Sequence, residues 1–145
     1  MNIDRINAAH ARISGAIRRT PLLSAPLLDE IAGRRVLAKP ECLQLTGSFK
    51  FRGGMSAVSA LPQELRARGV IAFSSGNHAQ GVALAAKKLG IKAVIVMPQT
   101  TPEIKVRSVR DHGARVVLKG DAFDEAAAHA QELIQKHGYT YIPPY

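Results

Sequence analysis

Tryptophan is missing from this chain of 145 residues, and cysteine occurs once, at Cys42. A lone cysteine rules out a disulfide framework and a cysteine-based zinc cluster, and Cys42 reads as a small, partly buried side chain. Aromatic residues make up 5% of the chain, too few for the stacking platforms that bind single-stranded nucleic acid. Acidic side chains are also scarce, 11 against 20 lysines and arginines, which leaves a formal charge of +9. The basic excess is scattered, as at Arg18 and Arg19, Arg34 and Arg35, Arg66 and Arg68, and Lys87 and Lys88, and forms no continuous run. Nucleic acid is therefore not expected as a partner, whereas anionic small molecules are. No stretch approaches the roughly 20 apolar residues of a membrane span. Asp4, Arg5 and His10 stand where a secretory signal carries its apolar core. A cytoplasmic protein without a membrane partner is expected. The five histidines lack ligand spacing, so no metal site is expected. Neither a G-x-x-x-x-G-K-S/T phosphate loop nor a G-x-G-x-x-G turn after a strand occurs, which disfavours a dinucleotide site.

What is present is 46% apolar residues, enough for one ordinary domain with a real core. Ile3, Ile6, Ile13 and Ile17 lie near helical spacing, which predicts an amphipathic helix over residues 3–18 that ends at Thr20 and Pro21. Residues 22–24 read as extended, 26–31 as a short helix stopped by Gly33, and 35–39 as a strand ended by Pro40. A helix follows from Ser48 to about Leu61. Its internal Gly53 and Gly54 cost about 1 kcal/mol each relative to alanine, so something is expected to approach the backbone closely there. Pro62 opens a second short helix. From Val70 onwards, short apolar strands at 70–73, 93–97, 116–118 and 139–142 alternate with helices at 77–89, 103–112 and 122–137, closed by Gly90, Gly113 and Gly138. This predicts an α/β fold, a parallel sheet with helices on both faces, with ligands at the carboxyl ends of the strands.

Two stretches carry chemistry. Residues 39–54, KPECLQLTGSFKFRGG, put Lys50 in the first turn of a helix with Ser48 as the expected N-cap. Near the positive end of a helix dipole a cation is disfavoured, and the neutral amine, a nucleophile, is easier to reach. The same position also suits a solvated surface lysine, and local physics does not choose between them. Residues 74–81, SSGNHAQG, leave the strand at 70–73 and open the next helix. Ser75, Gly76 and Asn77 offer small residues and free backbone N–H groups for a carboxylate or phosphate, or else a plain turn capped by Ser75 or Asn77. His78 follows in the first turn, where a lone histidine is more often structural than catalytic. Thr100, Thr101 and Pro102, before Glu103, read as a helix cap.

Together, K-P-E-x-x-x-x-T-G-S-F-K-x-R-G and S-S-G-N-H-A-Q-G resemble the serine/threonine dehydratase branch of the fold type II pyridoxal-phosphate enzymes, which includes threonine dehydratases and serine racemase. The resemblance runs over essentially the whole chain, including the later V-I-V-M-P and K-x-x-x-x-R-x-x-G-A stretches, with Gly54 in place of the usual alanine. It implies a tryptophan-synthase-β-like architecture seen in its N-terminal part, with residues 1–68 from the large cofactor domain and 69–145 forming most of the small mobile domain. It also implies pyridoxal 5'-phosphate as cofactor, a small 3-hydroxy amino acid as substrate, and a homodimer or higher homo-oligomer at full length. By the same resemblance Lys50 is the Schiff-base lysine, Phe49 packs on the pyridine ring, and Asn77 bonds the cofactor's phenolic oxygen. Ser75, Gly76, Asn77 and His78 hold the substrate carboxylate, and Ser75 faces the cofactor opposite Lys50, where racemases keep a second acid/base. The implied activity is a lyase that converts L-threonine, L-serine or a relative to a 2-oxo acid and ammonia. A racemase on the same scaffold is the alternative, and a catalytically silent α/β binding module stands beside both. The cofactor-phosphate loop, the partner of the pyridine nitrogen and the divalent-cation ligands of such enzymes fall beyond Tyr145, so this stretch alone is expected to bind the cofactor poorly.

Overall fold

Apolar runs of four and five residues between turn glycines make the two central strands, β3 (Val70–Phe73) and β4 (Ala93–Met97). A computed structural model of the chain describes residues 2–144. In it these strands pair in parallel, with Val70 opposite Ala93 and Phe73 opposite Val96. β5 (Arg115–Leu118) lies beside β4 and β6 (Thr140–Tyr141) beside β3, giving a four-stranded parallel sheet in the order β5-β4-β3-β6. Successive strand residues point to opposite faces, and the core divides accordingly. Val70, Ala72, Ile95 and Met97 join one cluster with Val82, Val106 and Val109, whereas Ile71, Val94 and Val96 join another with Ala126 and Ala130. Helices α5 (Asn77–Lys88) and α6 (Glu103–Asp111) thus cover one face, and α7 (Phe123–His137) covers the other. The doubly covered parallel sheet is the one expected.

The preceding half is less regular. α1 (Ile3–Ile13) stops five residues before its expected end. The Ser14 hydroxyl donates to the Ala11 carbonyl at 3.1 Å and Gly15 follows, a side chain that competes for the backbone and a residue with poor helix propensity. Ile13 is buried, but Ile3 and Ile6 are 64% and 48% exposed, so the expected apolar stripe is only partly covered. β1 (Leu23–Ser24) and β2 (Leu37–Ala38) form an antiparallel pair around α2 (Pro26–Ala32), which ends on Gly33 in the left-handed region at φ 62°. α4 (Gln63–Arg68) begins after Pro62, which occupies the N-cap rather than the first helical position. Cys42, expected partly buried, is exposed.

α3 (Lys50–Ser59) lies before the sheet in sequence but inside its core in space, through Phe51, Met55 and Val58. The close approach expected at its paired glycines is made by α5. A Cβ built on Gly54 would stand 2.9 Å from the Gly81 carbonyl, and one on Gly81 would stand 2.9 Å from the Lys50 carbonyl oxygen. Gly53 has open space beside it. Backbone thus meets backbone where α3 crosses α5, and the start of α3 is held against the start of α5.

Candidate active site

The approach to Lys50 is built from two 3-10 turns, Glu41–Leu43 and Leu45–Gly47. Thr46 (φ 67°) and Gly47 (φ 68°) are both left-handed, which is unusual for a β-branched residue. Ser48 is extended and does not cap α3. The N-cap is Phe49, and among the described residues no side chain caps the helix and the buried Ser48 hydroxyl has no hydrogen-bond partner. The expected cap is therefore not made: Ser48 has the extended backbone typical of an N-cap, but its hydroxyl bonds no first-turn N–H among the described residues.

The loop is fastened by side chains further back. Arg52 binds Glu41 through two hydrogen bonds, Nε to Oε2 at 2.6 Å and Nη2 to Oε1 at 2.8 Å. The Thr20 hydroxyl donates to Glu41 Oε1 at 2.6 Å and accepts from Arg52 Nη2 at 3.1 Å. Lys39 Nζ donates to the Thr20 carbonyl at 2.8 Å. The buried Gln44 amide accepts from Arg18 N–H and donates to the Arg18 carbonyl, at 2.9 and 2.8 Å. The hydrogen bond from Arg52 holds the Glu41 carboxyl down at about 2, against the upward push of burial and with further help from Thr20 and the charges of Arg52 and Lys39. Glu41 and Arg52 stand in the sequence motif, but nothing there marks them as partners across a turn.

Lys50 Nζ is half-buried and donates to the Pro144 carbonyl at 2.6 Å. It lies 5.2 Å from the centroid of the Phe49 ring, which is 58% exposed. On the facing element, Gly76 is the N-cap of α5 and again no side chain caps the helix. Gly76 N–H donates to the Ser74 hydroxyl at 3.3 Å. Ser75 and Gly76 are partly exposed and Asn77 is exposed. The plain capped turn is therefore not what forms, and the loop keeps the free helix start that an anion needs. The threonines before α6 do not cap either. Thr100 donates to the Asp121 carbonyl at 3.2 Å, and the Thr101 hydroxyl has no partner.

His78 is buried, and its Nε2 donates to the Ile142 carbonyl at 2.9 Å. Burial lowers its pKa, the Ile142 bond opposes this, and the charge of Lys50 lowers it further. Burial thus disfavours the charged form of the imidazole. His78 and Lys50 together bind the segment that follows β6, a contact with no sequence signal because Ile142 and Pro144 act through their carbonyls.

An amine with one carbonyl partner among the described residues, an exposed aromatic ring beside it and an uncapped helix start on the facing element form a donor set for a flat aldehyde and a carboxylate. They fit pyridoxal phosphate. The comparisons with known proteins point to the same cofactor. The pyridoxal-phosphate dependent enzyme family matches residues 13–145. The catabolic L-threonine dehydratase of Staphylococcus aureus (strain USA300) is 45% identical over 146 residues, which cover 100% of this chain and 42% of that protein. The chloroplastic biosynthetic threonine dehydratase 1 of Solanum lycopersicum is 49% identical over 139 residues, 96% of this chain and 23% of that protein. Among solved structures, maize serine racemase matches with a TM-score of 0.93 at 37% identity, over 99% of this chain and 44% of that one. Threonine deaminase isoform 2 from Solanum lycopersicum matches with a TM-score of 0.87 at 43% identity, over 100% and 41%. The chain thus spans less than half the length of the curated relatives it matches. With the family match running through Lys50, α5 and the whole parallel sheet, the chain belongs to the pyridoxal-phosphate dependent enzymes.

Proposed function

We propose that this chain carries the lysine and the substrate loop of a hydroxy-amino-acid dehydratase, an ammonia-lyase acting on L-threonine, L-serine or a related 3-hydroxy amino acid. One observation carries the reading. The Gly54–Gly81 crossing brings the Lys50 amine and the uncapped start of α5 to one place, although they lie far apart in sequence. Relatives named threonine dehydratase support the choice of reaction.

Pyridoxal phosphate, when bound, supplies the electron sink that chemistry at an amino-acid α-carbon needs. Lys50 would hold it covalently through Nζ, and the same amine would serve as the base for the substrate α-proton. Phe49 would pack against the cofactor ring, and the Asn77 amide would hydrogen-bond the cofactor. The backbone of Ser75, Gly76, Asn77 and His78 holds the substrate carboxylate at the positive end of α5. With the carboxylate fixed there, the β-hydroxyl leaves, and the net products are a 2-oxo acid and ammonia. The neutral His78 imidazole keeps its bond to Ile142 rather than exchanging protons with substrate.

Residues 69–145, which contain the parallel sheet, make up most of a small mobile domain, and residues 1–68 begin a larger one. The protein works in the cytoplasm, where an exposed free thiol such as Cys42 stays reduced. It works as a homodimer or higher homo-oligomer, for which the exposed Leu22, Leu27 and Ile31 leave apolar surface. A racemase is the second reading, favoured by the match to maize serine racemase and by Ser75 at the substrate loop.

The test uses the full-length protein. Borohydride reduction with pyridoxal phosphate labels Lys50, and L-threonine yields 2-oxo acid and ammonia. Lys50→Ala abolishes both. Retention of both by this variant would overturn the assignment, and accumulation of D-serine from L-serine without dehydration would establish the racemase instead.

A further inference from the structure

Lys50 and Arg52 are two residues apart on α3, so their side chains leave the helix roughly 200° apart. Lys50 reaches towards Pro144 and the α5 side, while the Arg52 guanidinium reaches back to Glu41, Thr20 and, at 3.3 Å, the Arg18 carbonyl. Arg52 therefore acts on the far side of the helix from whatever Lys50 holds.

We propose that the Arg52–Glu41 pair, bridged by Thr20, is the positioning element for Lys50: it sets where the first turn of α3 stands and thereby where Nζ points. This rests on the reading of Lys50 as the cofactor lysine. Three observations carry it. First, the usual local anchors are missing among the described residues, since no side chain caps α3, the Ser48 hydroxyl has no partner there, and the two residues before Ser48 are left-handed. Second, the pair is a two-bond fork between an arginine and a carboxylate, with side chains only 24% and 19% exposed. Such a fork fixes direction as well as distance, and its two bonds and partial burial set it apart from an isolated, fully exposed ion pair. Third, the anchor is itself tied down by further hydrogen bonds to distant parts of the chain. Lys39 ties Thr20 to the end of β2, and Gln44 clamps both backbone groups of Arg18. On its other side α3 meets the backbone of α5 at Gly81. The first turn of α3 is thus gripped between α5 and Glu41, and losing one grip lets it slide along the other. A displacement of about 1 Å at a reacting group costs up to about 100-fold in rate.

The test compares full-length holoprotein carrying Arg52→Met, Arg52→Lys, Glu41→Gln or Thr20→Val with wild type. It measures the rate of borohydride-trapped labelling of Lys50 by pyridoxal phosphate, followed by peptide mass spectrometry, together with kcat, KM and thermal stability. Arg52→Met and Glu41→Gln should slow labelling of the folded protein by about tenfold or more and lower kcat in parallel, with KM within about twofold. Arg52→Lys should recover part of the rate, because an ammonium keeps one of the two bonds. A purely structural role would lower thermal stability and leave the labelling rate of folded protein unchanged, and that result overturns the proposal. If the two stronger variants do not fold, Thr20→Val decides. It should slow labelling to a smaller extent, and a wild-type rate overturns the proposal. Wild-type protein that never labels at Lys50 overturns the cofactor-lysine reading itself, whereas wild-type labelling with indifferent variants overturns the positioning role alone.

Discussion

Gly54 and Gly81 face each other where α3 crosses α5, so closely that a Cβ on Gly54 would lie 2.9 Å from the carbon and oxygen of the Gly81 carbonyl. The neighbour is backbone in a buried helix and cannot step aside as a flexible side chain could. Gly81→Ala should destabilise the protein by about 1–3 kcal/mol, the usual cost of overpacking. Gly53→Ala, which meets open space, should stabilise by up to about 1 kcal/mol through helix propensity. Urea unfolding of the two variants side by side checks the contrast, and equal effects would contradict the crossing.

Ser48→Ala separates the capping expectation from the observed geometry. Loss of a serine N-cap typically costs about 1 kcal/mol. The Ser48 hydroxyl is buried without a partner, so removing it should leave stability unchanged or slightly higher, within about 0.5 kcal/mol. Denaturant midpoints of wild type and variant decide between the two.

The Arg52–Glu41 pair imposes an acid dependence with a definite sign. Glu41 titrates at about 2 in the folded chain against an ordinary 4.5. The unfolded chain therefore binds more protons between those values, and stability rises with pH across that window. The contribution is complete above 4.5 and disappears as pH falls towards about 2. Glu41→Gln should be less stable near neutrality and should show a shallower loss on acidification. Unfolding followed by circular dichroism from pH 5 to 2 measures both slopes, and parallel curves would show that the pair is uncoupled from folding.

His78 predicts a second, separate window. Its pKa lies below the ordinary 6.5, chiefly through burial, so protonation favours the unfolded chain and stability falls as pH drops through 6.5 and below. His78→Ala should lose the bond to Ile142 and leave that carbonyl unpaired, at a cost of about 1–3 kcal/mol. The wild-type slope just below pH 6.5 should flatten in the same variant.

Ser75→Ala tests the two proposed activities against each other. If Ser75 is a second acid/base opposite Lys50, the variant should lose any interconversion of L- and D-serine while retaining dehydration of L-threonine within about tenfold. Chiral analysis of the serine pool alongside 2-oxo acid release reads both at once.

Local sequence signals located most elements of the sheet half. The glycines at 90, 113 and 138 adopt left-handed conformations at or just beyond the ends of α5, α6 and α7. The apolar runs at 70–73 and 93–97 are the central strands, because a strand covered on both faces needs no polar positions. The first 50 residues carry weaker local signals. Ile17 continues the spacing of Ile13 but lies beyond the end of α1, and Cys42 is exposed. There, side-chain hydrogen bonds between distant residues, such as Gln44 with Arg18, outweigh weak local propensity.

The sequence by itself determined the order of strands and helices, the α/β class, and the two contiguous motifs to which the proposed chemistry is assigned, since each rests on periodicity, turn residues or a contiguous motif. Only the tertiary structure decided what holds Lys50. Its carbonyl partner lies 94 residues away, at Pro144. The anchor of its helix is an arginine–glutamate fork rather than the serine cap that local propensity favours. The physical reason is that a cap is a bond between neighbours and can be read along the chain. A carbonyl acceptor, or a salt bridge across a left-handed turn, exists only once distant backbone segments have been brought together.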